Sequence, residues 1–314
     1  MRGLGFWLAV GAVLAATLAM TQLVANQYYY FAGYVVLQYV VLATAWNILG
    51  GYTGYVNFGS AGFFALGAYS AILAIKLVAA PLPLLILAGG VVSGLVGLGT
   101  GYLTLRLRGI FFAIATLALS VVLQTLVVNW DFVGGSRGVY TMRPSVPLVF
   151  DSYIKLLFVT MLLIALAAIV AARFIERSWI GRGLAAIRDN EQAAACSGVP
   201  TLRLKLFATT TSGFLMGAAG APFPLYVTYL DPSSTFSLAY AVNSIAMPLI
   251  GGTTSWVGPV IGAVLLGTAQ QIATVTISSA ANLLIVGILL VGFVILAPEG
   301  IVGLWRRLAR GRQA

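Results

Sequence analysis

Apolar stretches of about 20 residues recur along almost the whole chain, and this pattern limits its possible folds more than any other feature. Of the 314 residues, 61% are hydrophobic and 8% are charged, whereas an ordinary soluble domain has about 25% charged residues. A soluble fold cannot bury so much apolar side chain, which excludes globular soluble folds, disordered chains and nucleic-acid binders despite the net charge of +10. Strict polar–apolar alternation is absent, which disfavours a β-barrel. The sequence therefore predicts an all-α polytopic membrane protein.

Hydropathy windows of about 19 residues predict roughly ten spans in one transmembrane domain covering residues 1–314. The spans lie near residues 5–25, 30–50, 58–78, 82–104, 109–129, 153–172, 206–229, 236–251, 257–276 and 281–297. The third and eighth contain Gly and Ser, so either is open to being a re-entrant or broken helix. No clear small-residue cleavage site follows the first apolar stretch, so it is interpreted as a membrane anchor rather than a signal peptide.

Basic residues divide unequally between the two sides of this topology. With ten spans, the side that holds both termini carries 13 of the 17 Lys and Arg residues. The other side carries Lys76, Arg137, Arg143 and Lys155. Because basic residues concentrate in cytoplasmic loops, both termini are predicted to be cytoplasmic. Eight spans plus a re-entrant pair would give the same asymmetry. Two connections are long: the outer residues 130–152 and the cytoplasmic residues 173–205.

Acidic residues are missing from the middle of every predicted span. All seven lie outside these regions: Asp131, Asp151, Glu176, Asp189, Glu191, Asp231 and Glu299. Intramembrane carboxylates normally couple transport to protons or sodium, so neither coupling mode is expected. Histidine is absent and Cys196 is the single cysteine, which leaves no predicted metal site or catalytic residue. Uphill transport would therefore need energy from another subunit.

Uncharged polar residues within or beside the spans form a candidate pathway for a small neutral or zwitterionic solute. The candidates are Asn47, Asn57, Ser60, Thr116, Ser120, Gln124, Thr211 and Asn243. Thr116, Ser120 and Gln124 are spaced by four and share one helix face. Residues of this kind also serve as hydrogen-bonding partners between membrane helices, and that interpretation stays open.

The cytoplasmic segment contains a helix-favouring stretch from Gly183 to Ser197, followed by the stop signals Gly198 and Pro200. Such a short helix, with small residues and a mixed-charge face, suits docking into a groove of a soluble partner. Contact with anionic lipid headgroups is the alternative from composition alone.

Three sequence blocks resemble the permease subunits of bacterial ABC importers for branched-chain amino acids. The first is residues 46–69, including Asn57-Phe58-Gly59-Ser60. The second is residues 105–117 with Asn129-Trp130-Asp131. The third runs from Gly181 through Asn190-Glu191 to Gly258-Pro259. Together they span about residues 35–300. Members often have His where this chain has Ser60, and Gly-x-Gly where it has Thr253-Thr254, which leaves the cargo less defined than the fold.

The resemblance implies an ABC importer permease fold that works by alternating access in the bacterial inner membrane. It implies a coupling segment that contacts a cytoplasmic ATPase, with the coupling residues Arg182, Arg188, Asn190, Glu191, Ala194, Ala195 and Gly198. A periplasmic or lipid-anchored binding protein would dock at the outer loop, with the docking residues Trp130, Asp131, Arg137 and Arg143. Two ATPase subunits, a second related permease and membrane lipids complete the expected partners.

This chain has no Gly-x-x-x-x-Gly-Lys-[Ser/Thr] phosphate loop, so ATP and Mg are expected on the ATPase partners. Branched-chain or other hydrophobic amino acids are the expected cargo. Alternatives are import of urea, amides or aromatic acids, a passive solute channel, and a structural subunit of a membrane redox complex. The redox alternative is disfavoured by the absence of histidine.

Overall fold

A computed structural model describes residues 3–24, 26–104, 106–107, 109–143, 151–276, 287–288, 292 and 300–304. Most of these residues are helical, which confirms the predicted all-α membrane fold. The helices are α1 (Gly3–Leu23), α2 (Tyr28–Thr53), α3 (Ser60–Val78), α4 (Leu82–Thr104), α5 (Ile110–Val128), α6 (Tyr153–Arg177), α7 (Trp179–Cys196), α8 (Thr201–Gly220), α9 (Phe223–Val227), α10 (Pro232–Thr235), α11 (Leu238–Gly251) and α12 (Val257–Thr276). Two short strands, β1 (Val139–Tyr140) and β2 (Tyr229–Leu230), pair antiparallel.

Seven helices in the described part of the chain are long and apolar enough to cross a membrane, namely α1 to α6 and α12. The predicted seventh and eighth spans correspond to α8 and α11. Helix α11 has only 14 residues and contains Pro248, so ten is an approximate count of full spans. The third predicted span is a continuous helix, α3, despite its Gly and Ser residues. The predicted tenth span, residues 281–297, lies almost wholly outside the described residues.

Helix α2 is the central element of the bundle. Its residues are buried without interruption from Val40 to Thr53, and it packs against α6, α8, α11 and α12. A helix that is apolar on all sides is stable only when other protein surrounds it, which places α2 in the core of this bundle.

Helices α3, α4 and α8 meet along a seam of glycines. A Cβ on Gly217 of α8 would overlap the carbonyl oxygen of Gly89 in α4, and a Cβ on Gly67 of α3 would overlap the carbonyl of Gly217. Ser93 Oγ donates a hydrogen bond of 2.9 Å to the Phe63 carbonyl across the same seam. Small residues let membrane helices approach closely where lipid provides no hydrophobic drive between them.

One end of the bundle, here called the α7 end, gathers the start of α1, the end of α6 and the start of α12. The Arg173 guanidinium lies 3.7 Å from the centre of the Phe6 ring, and the Trp256 amide donates a 2.6 Å hydrogen bond to Glu176. A Cβ built on Gly300 would lie 2.5 Å from the Gly252 amide nitrogen. Described residues near both chain ends therefore lie at the same end of the bundle as α7.

The opposite end, here called the ribbon end, carries the β1–β2 pair. All four basic residues that the charge analysis placed on the outer side make contacts there. Lys76 Nζ donates to the Phe132 carbonyl at 2.7 Å, Lys155 Nζ donates to the Thr21 carbonyl at 2.8 Å, and the Arg137 carbonyl accepts from Tyr229. Arg143 donates to the carbonyls of residues 225 and 226, each at 3.0 Å.

Candidate functional site

Helix α7 is broken at Asn190. The predicted helix over 183–197 is therefore two helical pieces, because Asn190 has extended backbone angles (φ −162°, ψ 106°). Its side-chain Oδ1 accepts hydrogen bonds of 3.0 Å from the amides of Gln192 and Ala193. Asparagine is a favoured residue at helix N-termini because it satisfies these otherwise unpaired amides. Asn190 thus starts a new short helix rather than continuing the old one.

This short helix, Glu191–Cys196, also has a defined C-terminal cap. Gly198 adopts a left-handed conformation (φ 83°). The Val199 amide donates to the Ala194 carbonyl at 3.0 Å, and the Gly198 amide donates to the Ala195 carbonyl at 3.1 Å. This is the Schellman arrangement, for which glycine is the usual residue. Residues 190–198 are called the capped segment below.

The capped segment presents one buried and one exposed face. Ala194 is 5% exposed and packs inward. Gln192, Ala193, Ala195 and Cys196 are exposed. The two neighbouring alanines predicted as coupling residues therefore have different positions: Ala195 is available to a partner, whereas Ala194 supports the segment from within.

Glu191 lies at the start of the short helix and points into the bundle. Its Oε1 accepts from Lys205 Nζ at 2.6 Å, and its Oε2 accepts from the Tyr55 hydroxyl at 2.6 Å. Lys205 Nζ also donates to the Tyr55 hydroxyl at 3.1 Å, which closes a triangle of hydrogen bonds. The exposed fraction of the side chain is 4% for Lys205 and 18% for Glu191. A shielded, hydrogen-bonded ion pair of this kind holds its partners in a fixed geometry.

The two predicted coupling arginines lie on α7 before the break at Asn190. Arg188 Nη1 donates to the Gly51 carbonyl at 3.4 Å, and its Cγ would lie 3.3 Å from a Cβ built on Gly54. Arg182 is exposed beside Trp179 in an open groove of about 340 Å³ that Gly198 and its neighbours also line. Arg188 thus contacts the end of the central helix, and Arg182 lies at the surface.

The predicted pathway residues fall into separate places. Asn57, Ser60, Thr116 and Ser120 lie at the contact between the start of α3 and helix α5, where the Phe58 amide donates to Thr116 Oγ1 at 3.1 Å. Asn243 lies among α2, α11 and α12. The remaining candidates are Asn47, buried in α2, and the half-buried Gln124 and Thr211, on α5 and α8.

Asn243 belongs to a chain of uncharged polar groups inside the bundle. Its Nδ2 donates to the Tyr39 hydroxyl at 3.3 Å, and its Oδ1 accepts from Gln270 Nε2 at 2.8 Å. Asn243 therefore makes hydrogen bonds between membrane helices, which is one of the two roles considered for it. Its place in a solute pathway stays a prediction.

The predicted docking residues lie at the ribbon end. Trp130, Asp131 and Arg137 are exposed. Arg143 is exposed as well, and it holds the outer loop to the end of α9 through the carbonyls of Leu225 and Tyr226. Residues 144–150 of the predicted loop lie outside the described residues.

Sequence reasoning missed Tyr55 and Lys205 as site residues. Tyr55 stands inside the first quoted sequence block, and Lys205 was counted only as a cytoplasmic base. A signal was available: a lysine one turn into an apolar helix needs a carboxylate partner, and Glu191 is the nearest preceding acid in the sequence.

Residues 28–294 match the sequence profile of the family described as branched-chain amino acid transport system, permease component. The chain belongs to this permease family. The family's proteins are membrane-embedded components of ABC transporters, which lack an ATPase site of their own and act with ATPase and substrate-binding partners.

Individual relatives agree with this assignment. The high-affinity branched-chain amino acid permease LivM of Salmonella typhimurium is 28% identical, over 85% of this chain and 68% of the relative. The protein described as the branched-chain amino acid permease LivH of Methanocaldococcus jannaschii is 24% identical, over 82% and 86%. The ribose import permease RbsC of Haemophilus influenzae is 31% identical over only 31% of this chain and 32% of its own length.

A solved structure shares the permease fold. It is an ABC transporter described as of the metal-chelate type, in an inward-facing conformation. The match has a TM-score of 0.51 at 17% identity and covers 92% of this chain and 98% of the other. At this identity the likeness concerns the fold alone.

Proposed function

We propose that this permease imports branched-chain or other hydrophobic amino acids by alternating access, driven by ATP hydrolysis on partner subunits. The observation that carries the proposal is the capped segment. It is a short helix with an exposed face, and Glu191, Lys205 and Tyr55 connect its base to the bundle. A partner that moves this segment therefore acts on the membrane helices directly.

In this proposal the ATPase dimer closes on ATP, displaces the capped segment and shifts the permease between inward- and outward-facing states. ATP and Mg bind the partner, because this chain has no phosphate loop. The α7 end faces the cytoplasm of a bacterial inner membrane, together with both termini. The complex contains two ATPase chains, a second related permease, and a periplasmic or lipid-anchored binding protein at the ribbon end.

The cargo assignment is supported by the absence of acidic residues from the middle of the predicted spans and by the similarity to LivM over most of the chain. A neutral lining suits a zwitterion that must pass without being held tightly. Urea, amides, aromatic acids and ribose are the competing cargoes. The test is uptake of labelled leucine by the complete complex with its binding protein, in competition with each of these. If valine and isoleucine fail to compete with leucine while one of the other compounds does compete, the cargo belongs to the class of that compound.

A passive solute channel is the rival function. A channel conducts without a partner, whereas the proposed importer needs one. The purified chain alone in vesicles should neither concentrate leucine nor release it downhill at a rate above that of empty vesicles. Rapid downhill flux through the chain alone would favour the channel.

The lone cysteine gives a direct test of the ATPase contact. Cys196 is exposed on the short helix. A benzophenone–maleimide probe on Cys196 should photocross-link to the ATPase subunit in the assembled complex. The matched control carries Cys196→Ser with Ser136→Cys, which moves the probe to an exposed position at the ribbon end. Equal cross-linking from both positions, or none from Cys196, would refute the coupling assignment.

A pair of substitutions on adjacent alanines separates docking from folding. Ala195→Arg puts a bulky cation on the exposed face and should lower ATP-dependent uptake by about tenfold or more, with normal amounts of folded protein. Ala194→Arg puts the same group on the buried face and should lower the folded yield itself. Uptake assays and size-exclusion profiles of both variants check this. Normal uptake by a folded Ala195→Arg variant would remove this face from the interface.

A further inference from the structure

The loop that joins α2 to α3, residues 54–59, is held from two directions. On one side Tyr55 contacts the capped segment, and on the other Asn57 and Phe58 contact α2 and α5. The loop has no regular secondary structure, and Tyr55 and Asn57 are nevertheless buried. Non-helical backbone at such a position persists where surrounding contacts fix it.

The contact with the capped segment is made by the Tyr55 hydroxyl. It donates to Glu191 and accepts from Lys205, at 2.6 Å and 3.1 Å. The Tyr55 ring packs edge-on against Phe112 of α5, with centroids 5.1 Å apart. One side chain therefore touches α5, α8 and the capped segment at once.

The contacts on the other side of the loop are made by its backbone. The Asn57 carbonyl accepts from Trp46 Nε1 at 2.8 Å, and the Phe58 amide donates to Thr116 Oγ1 at 3.1 Å. Gly59 completes the fit, because a Cβ there would lie 3.1 Å from the Thr116 carbonyl. A shift of the loop would thus act on α2 two turns before its end, at Trp46, and on α5 at Thr116.

We infer that Tyr55 is a positioning residue that passes displacement of the capped segment to the 54–59 loop and through it to α5. The inference rests on the proposed function and names the element that carries the motion into the membrane. Helix α5 is the element suited to respond, since only a narrow stripe of its residues is buried, including Phe112, Thr116 and Ser120. Packed side chains and hydrogen bonds carry coupling between distant sites, and the 54–59 loop supplies both between the capped segment and α5.

Tyr52 provides a matched control three residues away. Its hydroxyl also bonds a glutamate, Glu176, at 3.3 Å, but that glutamate belongs to α6 and not to the capped segment. Tyr52→Phe and Tyr55→Phe each remove one hydroxyl and leave the ring. Stability effects of the two changes should therefore be similar, whereas an effect on coupling should be confined to Tyr55.

The experiment measures leucine uptake and ATP hydrolysis in vesicles that contain the full complex and its binding protein. Tyr55→Phe should lower the leucine transported per ATP by about tenfold while hydrolysis continues, and Tyr52→Phe should leave that ratio unchanged. A wild-type ratio in the Tyr55→Phe variant, or an equal fall in both, would overturn the relay.

A second readout follows the motion itself. Spin labels at Gln192→Cys on the capped segment and Ile114→Cys on α5, in a Cys196→Ser background, report the separation of these two helices in the full complex. With Tyr55 present the distance distribution should stay narrow as nucleotide is added, because the two helices move together. Tyr55→Phe should broaden or shift the nucleotide-bound distribution, and an unchanged distribution would contradict the relay.

Failure of the relay is distinguishable from failure of the proposed function. If the function were wrong, the Cys196 probe would not capture the ATPase and the unsubstituted complex would show no ATP-dependent uptake. If only the relay were wrong, both of these would succeed and the Tyr55→Phe variant would remain fully coupled.

Discussion

Two tyrosines at the α7 end use the same chemistry for different purposes. Tyr52 bonds Glu176, which also accepts from the Trp256 amide, so this contact joins α2, α6 and the start of α12. Tyr55 bonds Glu191, which lies on the surface segment and pairs with Lys205. The first contact joins transmembrane helices to one another, whereas the second joins them to a segment that a partner can reach. The same tyrosine–glutamate contact can therefore serve either packing or coupling, depending on which elements it connects.

Removing the cation from the Glu191 contact should have the largest effect. Lys205→Met takes the cation away from a shielded carboxylate, and breaking such an ion pair costs about 3 kcal/mol. A clear fall in the thermal midpoint of the purified protein in detergent is expected. Adding Glu191→Gln should recover part of the loss, because a neutral amide needs no cation.

Lys155→Met is the control for this change. Lys155 is also buried and pairs with Asp151, but the Asp151 side chain is 85% exposed. Water solvates that carboxylate once the lysine is gone, so the thermal midpoint should fall less than for Lys205→Met. A larger fall in the control would show that shielding of the carboxylate is not the deciding factor.

An intermediate effect is expected when the other glutamate is removed. Glu176→Ala takes away the acceptor of the Trp256 amide and the Tyr52 hydroxyl, and bonds to charged acceptors contribute about 2 kcal/mol. Chemical denaturation in detergent should show this loss, and Glu176→Gln, which keeps an acceptor oxygen, should lose less. The leucine transported per ATP should stay at the wild-type value. A fall in that ratio would mean that both tyrosine contacts carry coupling.

The smallest effect should come from the cap of the surface segment. Asn190→Ala removes the acceptor of two amides and costs about 1 kcal/mol of local helix stability. Faster hydrogen exchange in residues 191–196, with an unchanged thermal midpoint, is the expected signature. Asn190→Asp keeps the acceptor and should exchange like the wild type. Equal protection in the Asn190→Ala variant would show that packing through Ala194 alone holds the segment.

The bundle was predictable because its signals are local. Runs of apolar residues long enough to cross a membrane define most of the helices. The four bases that the charge analysis placed on the outer side all make contacts at the ribbon end, namely Lys76, Arg137, Arg143 and Lys155. The family assignment, made from three sequence blocks, was confirmed by the match over residues 28–294.

Features set by tertiary contact were not predictable in the same way. The break at Asn190 interrupts a helix-favouring stretch, and only the cap explains why the chain accepts it. Ala194 and Ala195 are adjacent residues of the same type, yet Ala194 is buried and Ala195 is exposed. Arg143 is predicted to meet a binding protein, and nothing in the sequence indicated that its fork also contacts carbonyls more than 80 positions away. Pairings over such distances leave no periodic pattern in the sequence.

The glycine seam among α3, α4 and α8 limits how this protein changes shape. Backbone lies against backbone there, at Gly67, Gly89 and Gly217, and the side chains beside these contacts are the small ones of Ser93 and Ala221. Interlocked surfaces of this kind resist sliding, so these three helices should travel as one rigid plate. A conformational cycle in such a molecule is then a hinged movement of the loosely attached elements around that plate, and not a deformation shared equally by all its helices.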